Sequence, residues 1–327
     1  MNWPSLGRPQ QSMGTAVTVA LAVLLVGCAA TTVPGGVGVQ AAPTILPAGA
    51  SLDTSSPSPT SSLSPPPGCT NWVDPHASGG SRLAVIRKRG HLIAGVDQNT
   101  YQWGYRDSTN YLRGFDIDMI RQLAKIILGS PNDVEFVIVP NTQRAAAVEQ
   151  GTVDIVAETM TITCSRLQSL LFSSVYYQAG QSILVPRGSL IHSISDLGGK
   201  RVCAIAGSTS QDRLAQLKVT PPMQRWAVLN ETDCLVMLQQ GQVDAISTDD
   251  TILRGLAAQD PNLVLVGGTF HSEPYGMAIM KGQTAFAAKV DAAIAQIETH
   301  TWGLLYAADI GGTVPAVPAP VCIGCGG

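Results

Sequence analysis

Charged and aromatic side chains are both scarce in this chain, at 13% and 5% of 327 residues, and histidine occurs only five times. With a net charge of -3 there is no broad cationic face for nucleic acid or an anionic membrane surface, so neither is expected as a partner. The histidines, His76, His91, His192, His271 and His300, are scattered without metal-ligand spacing. No GxSxG, HExxH or P-loop pattern occurs. No catalytic residue, metal or cofactor is therefore expected. Long apolar runs are also missing: residues 16–26 form an apolar stretch too short to span a bilayer comfortably.

That stretch follows Arg8 and precedes small residues, which is the layout of an export signal over residues 1–28. Its end, Leu25-Val26-Gly27-Cys28, resembles the lipobox of bacterial lipoproteins, in which the cysteine is lipidated and becomes the new N-terminus. The expected location is the outer face of the cytoplasmic membrane, with the lipid on Cys28 as the only membrane contact. A membrane anchor or an ordinary secretory signal is the other reading. Residues 29–70 are rich in Thr, Ser, Pro, Gly and Ala, bury little, and are expected to form a flexible tether.

Apart from Cys28 there are six cysteines, an even number that suits disulfides in an oxidising compartment. Cys203 lies on an expected strand and Cys234 on the first turn of a later helix, and this is the preferred pair. Cys322 and Cys325 have metal-site spacing, but no second such pair or neighbouring His accompanies them, so bridging is favoured over a metal.

The length allows two domains, each with its own core. Residues 92–96 read as a strand, 115–127 as a helix and 134–139 as a strand, an alternation that argues for a parallel α/β sheet. Residues 148–156, Val-Glu-Gln-Gly-Thr-Val-Asp-Ile-Val, recur at 238–246 as Leu-Gln-Gln-Gly-Gln-Val-Asp-Ala-Ile. Both copies read as a helix, a glycine stop and a strand, and they suggest two similar lobes. Further strands are expected at 201–206, 223–229, 243–248, 263–266 and 275–280, and helices at 211–217, 233–240, 251–258 and 284–298. The last helix returns the chain to the first lobe. The division is therefore 71–183 with 277–327 as lobe 1 and 184–276 as lobe 2, joined by crossings near 181–187 and 271–277 that form a hinge.

Gly114-Phe115-Asp116-Ile117-Asp118, the run from Thr159 to Arg166, Phe172-Ser173, Tyr176-Tyr177 and Gly207-Ser208-Thr209-Ser210 occur in that order. Together they resemble family 3 extracellular solute-binding proteins, the polar-amino-acid receptors of ABC importers, and in particular the glutamate/aspartate/glutamine branch. The resemblance covers roughly residues 83 to 310. It implies a two-lobed, type II periplasmic-binding-protein-like α/β fold and a monomer that traps its ligand by hinge closure. An ABC permease or, alternatively, a membrane sensor would be its partner.

An amino acid in a closed cleft needs a partner for each charge. For the α-carboxylate the expected groups are Arg166, Thr161, Ser208 and Thr209, the last two at a helix N-terminus. Asp249, beyond the 243–248 strand, is expected to take the ammonium, and Asp97 has the equivalent position in lobe 1. Arg144 matches an arginine that acidic-ligand members use for a distal carboxylate. Tyr101 and Trp103 stand where relatives place an aromatic wall, with core or rim packing as the other reading. Two departures are visible: Thr159 replaces a small residue, and 98–103 lacks the common Pro-aromatic pattern.

Overall fold

The computed structural model describes residues 45–56 and 70–311. The export signal with Cys28, most of the expected tether, and Cys69, Cys322 and Cys325 lie outside the described residues.

Two main sheets carry the fold. In the first, Leu92–Val96 lies between Val134–Ile138 and Ile155–Val156 and is parallel to both, as the strand-helix-strand alternation predicts. The crossover helix Phe115–Leu128 buries Phe115, Met119, Ile120, Leu123 and Ile127, a helical spacing that makes one apolar stripe against the sheet. The closing helix Thr284–His300 buries Phe286, Ala287, Val290, Ala293, Ile294 and Ile297 in the same core. In the second sheet Arg201–Ile205 lies parallel to both Gln224–Val228 and Ala245–Asp249. Its own apolar clusters include Leu184, Val228, Leu235, Ile246 and Leu253.

The repeated phrase is a repeated structure. At both copies the helix stops at a left-handed glycine, Gly151 with φ 70° and Gly241 with φ 66°, where a side chain would be strained. The aspartate that follows then caps the neighbouring parallel strand. Asp154 accepts from Ile93 N at 2.7 Å, and Asp244 accepts from Arg201 N at 2.8 Å. Each carboxylate is also paired with arginine, Asp154 with Arg82 and Arg89, Asp244 with Arg201. The Val-Asp of each copy thus fixes strand register by supplying an acceptor to an otherwise orphaned N–H.

The strands Tyr177–Pro186 and Leu263–Tyr275 pair antiparallel over most of their length, with an irregularity between Val266 and His271. Tyr177 and Tyr275 at one end belong to the core of the first sheet, and Leu184 and Leu263 nearer the other end belong to that of the second. This ribbon is the physical connection between the two cores, and the stretches read as crossings at 181–187 and 271–277 lie largely along it. The strand expected at 275–280 is instead broken at Gly276, where a Cβ would stand 2.6 Å from Ile162 Cδ1. Ala278–Met280 resumes in the first sheet.

Part of the expected tether is a docked strand. Ser51–Leu52 pairs antiparallel with Trp226 and Ala227 at the edge of the second sheet. Asp53 N donates to Arg225 O at 2.8 Å, Arg225 donates to Ser55 O at 2.7 Å, and Gln242 donates to Ile45 O at 2.9 Å. A free sheet edge offers unpaired backbone groups to any extended segment, and residues 45–56 occupy this one. Composition had hidden this, because strand addition uses the backbone. Cys203 and Cys234 form a disulfide that ties a central strand to the helix Glu231–Gln239.

Candidate functional site

The site is built where loops from both sheets meet. Thr163 caps the helix Cys164–Ser169 by accepting from Arg166 N at 3.2 Å. This turn aims the Arg166 guanidinium back at the loop, where it donates to Thr161 O at 2.6 Å. It also reaches Gly207 O at 3.4 Å, in the loop that follows Arg201–Ile205. There Ser208 caps the helix Thr209–Gln216, accepting from Gln211 N at 3.1 Å. Thr209 Oγ1 is 3.4 Å from Thr161 Oγ1 and donates to the buried Glu273 at 2.9 Å. Asn141 Nδ2 donates to Ala206 O at 2.6 Å, and Asn99 Nδ2 donates to Asn230 Oδ1 at 3.0 Å. The two lobes are therefore closed on each other through direct hydrogen bonds.

Between them lies a small cavity. One wall carries Asn141, Arg144, Thr159, Thr161 and Arg166; the other carries Ser208, Thr209, Ser210, Glu231 and Asp249. Arg144 is buried and held by two carbonyls, donating from Nε to Asn141 O at 3.1 Å and from Nη1 to Glu158 O at 2.9 Å. Thr159 has φ 41°, a left-handed conformation that a β-branched residue rarely adopts, and its N–H donates to Asp116 at 2.9 Å. This backbone requirement gives a physical reason why a small residue suits the position.

Electrostatics make this a site that wants ions of both signs. Burial, and then the neighbouring Arg144, lower Arg166 to about 9. Asp249 is buried at the end of Ala245–Asp249, and burial, then Glu273, push its carboxyl well above the ordinary range. Tyr275 Oη donates to Asp249 at 2.5 Å, and Ser210 Oγ lies 3.5 Å from the other oxygen. An incoming ammonium would restore Asp249 to its charged form, and an incoming carboxylate would offset the burial of the charged Arg166 guanidinium. Two guanidiniums on one wall facing carboxyls on the other make a charge-complementary seat for a small zwitterion.

Seven expected residues line this cavity: Arg144, Thr159, Thr161, Arg166, Ser208, Thr209 and Asp249. The other three do not. Trp103 is fully buried in the core of the first lobe, with ring centroids 4.7 Å from Tyr177 and 5.5 Å from Tyr275, so it forms no wall of the cavity. Its large apolar surface is worth more in that core than at the rim. Asp97 closes its own turn, accepting from Asn99 N, Thr100 N and Thr100 Oγ1. Tyr101 is 38% exposed and packs edge-on against Tyr105. Its carbonyl oxygen comes within 2.7 Å of where a Cβ on Gly255 would stand, so it meets the other lobe through backbone. Sequence reasoning missed Glu231, Asn141, Glu273 and Tyr275. The Asn230-x-x-Asp233 capping box was the available signal for Glu231, which it places on the first turn of its helix.

Residues 92–308 match the family described as bacterial extracellular solute-binding proteins, family 3. The chain belongs to that family. Its members are binding receptors, and this chain is a receptor with a type II two-lobed fold, not an enzyme. It is 37% identical over 219 residues to the ABC transporter glutamine-binding protein GlnH of Bacillus subtilis, an alignment covering 66% of this chain and 80% of that protein. It is 39% identical over 207 residues to the glutamine-binding protein of Geobacillus stearothermophilus, covering 63% and 78% of the two chains. Among solved structures, an ancestral arginine-binding protein bound to glutamine superposes with TM-score 0.62 at 33% identity, covering 68% of this chain and 99% of that one. No helix among the described residues of the receptor is long and apolar enough to cross a membrane.

Proposed function

We propose that the receptor captures a small polar amino acid, glutamate, aspartate or one of their amides, and presents it in the closed form to an ABC importer from a lipid anchor on Cys28. The α-carboxylate lies on Arg166, Thr161 and the N–H groups opened by Ser208 and Thr209. Asp249 takes the α-ammonium, and the side chain extends toward Arg144. Lobe 1 comprises 71–183 and 277–327, and lobe 2 comprises 184–276. The observation that carries this reading is the convergence of Arg166 and Asp249, from opposite lobes, on one cavity. Contacts divided in this way stabilise the closed state only when the ligand bridges them. The glutamine-binding relatives support the ligand class.

Calorimetric titration of the purified receptor with each of the twenty amino acids tests it. One-to-one binding confined to the acidic amino acids and their amides is expected. No heat with any of them rejects the proposal.

A further inference from the structure

Arg144 carries one positive charge into a region crowded with carboxyl groups. It attracts Asp116, Glu158 and Glu231, while Asp97 repels all three. Asp97 and Asp116 are committed elsewhere, and Glu158 does not line the cavity. Asp97 accepts from the turn at Asn99 and Thr100. Asp116 accepts from Thr159 N and, at 2.7 Å, from the Tyr176 hydroxyl. Glu158 is buried, and its Oε2 has no hydrogen-bond partner. Only Glu231 lines the cavity with Arg144. It is 9% exposed, and the Asn99–Asn230 bond holds its helix end at the seam between the lobes.

Arg144 and Glu231 thus share the lining of the cavity before any ligand arrives. A second carboxylate entering this end of the cavity would meet Glu231 with lone pairs on both sides, and like charges in a buried site cannot both ionise. An amide has no such conflict, because its carbonyl accepts from Arg144 and its NH2 donates to Glu231 whether or not Glu231 is protonated. Burial, and then Asp97, raise Glu231 to about 8. The groups facing it are Asp97, Thr100, Arg144 and Glu158.

We infer that Glu231 is the residue that discriminates side-chain charge: the receptor accepts an amide with Glu231 in either protonation state, and an acidic side chain only while Glu231 holds a proton. This rests on the amino-acid reading above and narrows it toward glutamine or asparagine at alkaline pH.

The test is calorimetry on the receptor with glutamine and glutamate as probes, from about pH 6 to about pH 9, where the α-groups of the two ligands titrate alike and cancel in the ratio. The ratio of Kd for glutamate to Kd for glutamine should rise with pH, approaching about tenfold per pH unit once Glu231 ionises. In Glu231→Gln that dependence should vanish. A ratio flat with pH in the wild type, or one that rises equally in Glu231→Gln, overturns the inference. Should the variant fail to fold, proton uptake by the wild type decides: near pH 9, about one proton is expected per glutamate and about none per glutamine. Equal uptake overturns the inference. Failure of every amino acid to bind overturns the amino-acid reading itself, whereas binding with a flat ratio overturns only the role of Glu231.

Discussion

Arg166→Ala is the most informative single substitution. Arg166 joins its own loop, through Thr161 O, to the opposite lobe, through Gly207 O. It is also the group placed to meet an α-carboxylate. Losing one partner of a buried, hydrogen-bonded charge pair costs about 3–5 kcal/mol. Because Arg166 retains partial exposure, the lower end applies, and about 3 kcal/mol corresponds to a loss of roughly 150-fold in Kd. Arg166→Lys keeps the charge but not the planar fork, so it should recover only part of that loss. The assay is calorimetry on the wild type and both variants, with thermal melts to show that each remains folded. A folded Arg166→Ala receptor whose affinity falls less than about tenfold for its best ligand would refute the reasoning.

Tyr275→Phe removes the 2.5 Å donor to Asp249, and a hydrogen bond to a charged group is worth about 1.5–3 kcal/mol, so affinity measured by calorimetry should fall at least tenfold while the melt is little changed. Asp116 and Glu231 titrate at about 7 and about 8 in the folded receptor, far above ordinary carboxyls, so the folded state binds more protons than the unfolded one between those limits. Stability should therefore fall as pH rises from about 5 to about 8, by up to about 1.4 kcal/mol per pH unit per group. Arg166 contributes nothing in this window, because its lowered value lies above it. A melting temperature that is level or rising over that range would contradict the burial of these groups. Asp53→Pro removes the N–H that bonds Arg225 O, and amide exchange at Gln224–Val228 should quicken without a change in ligand affinity.

Much of the fold is legible in the chain because its signals are local. The glycine stops at Gly151 and Gly241, the stripe along Phe115–Leu128 and the Thr163 cap before Arg166 each depend on residues a few positions apart. The helices begin slightly earlier than expected, at Thr209 and Glu231, because the capping residues Ser208 and Asn230 precede them. The site is less legible because its supports are distant in sequence. Thr209 leans on Glu273, Asp249 on Tyr275, and Glu231 faces Arg144 only after the lobes close. Trp103 shows the converse: its position beside the cleft loop suggests a ligand contact, but packing against Tyr177 and Tyr275 claims it for the core. It still bears on the site, because Tyr275 is the residue that holds Asp249.

The most direct test is a crystal structure of the receptor grown with glutamine. Ligand density is expected in the cavity between the lobes, with the α-carboxylate on Arg166, the ammonium on Asp249 and the amide between Arg144 and Glu231. Density outside that cavity, or a ligand turned so that its amide meets Arg166, would contradict it.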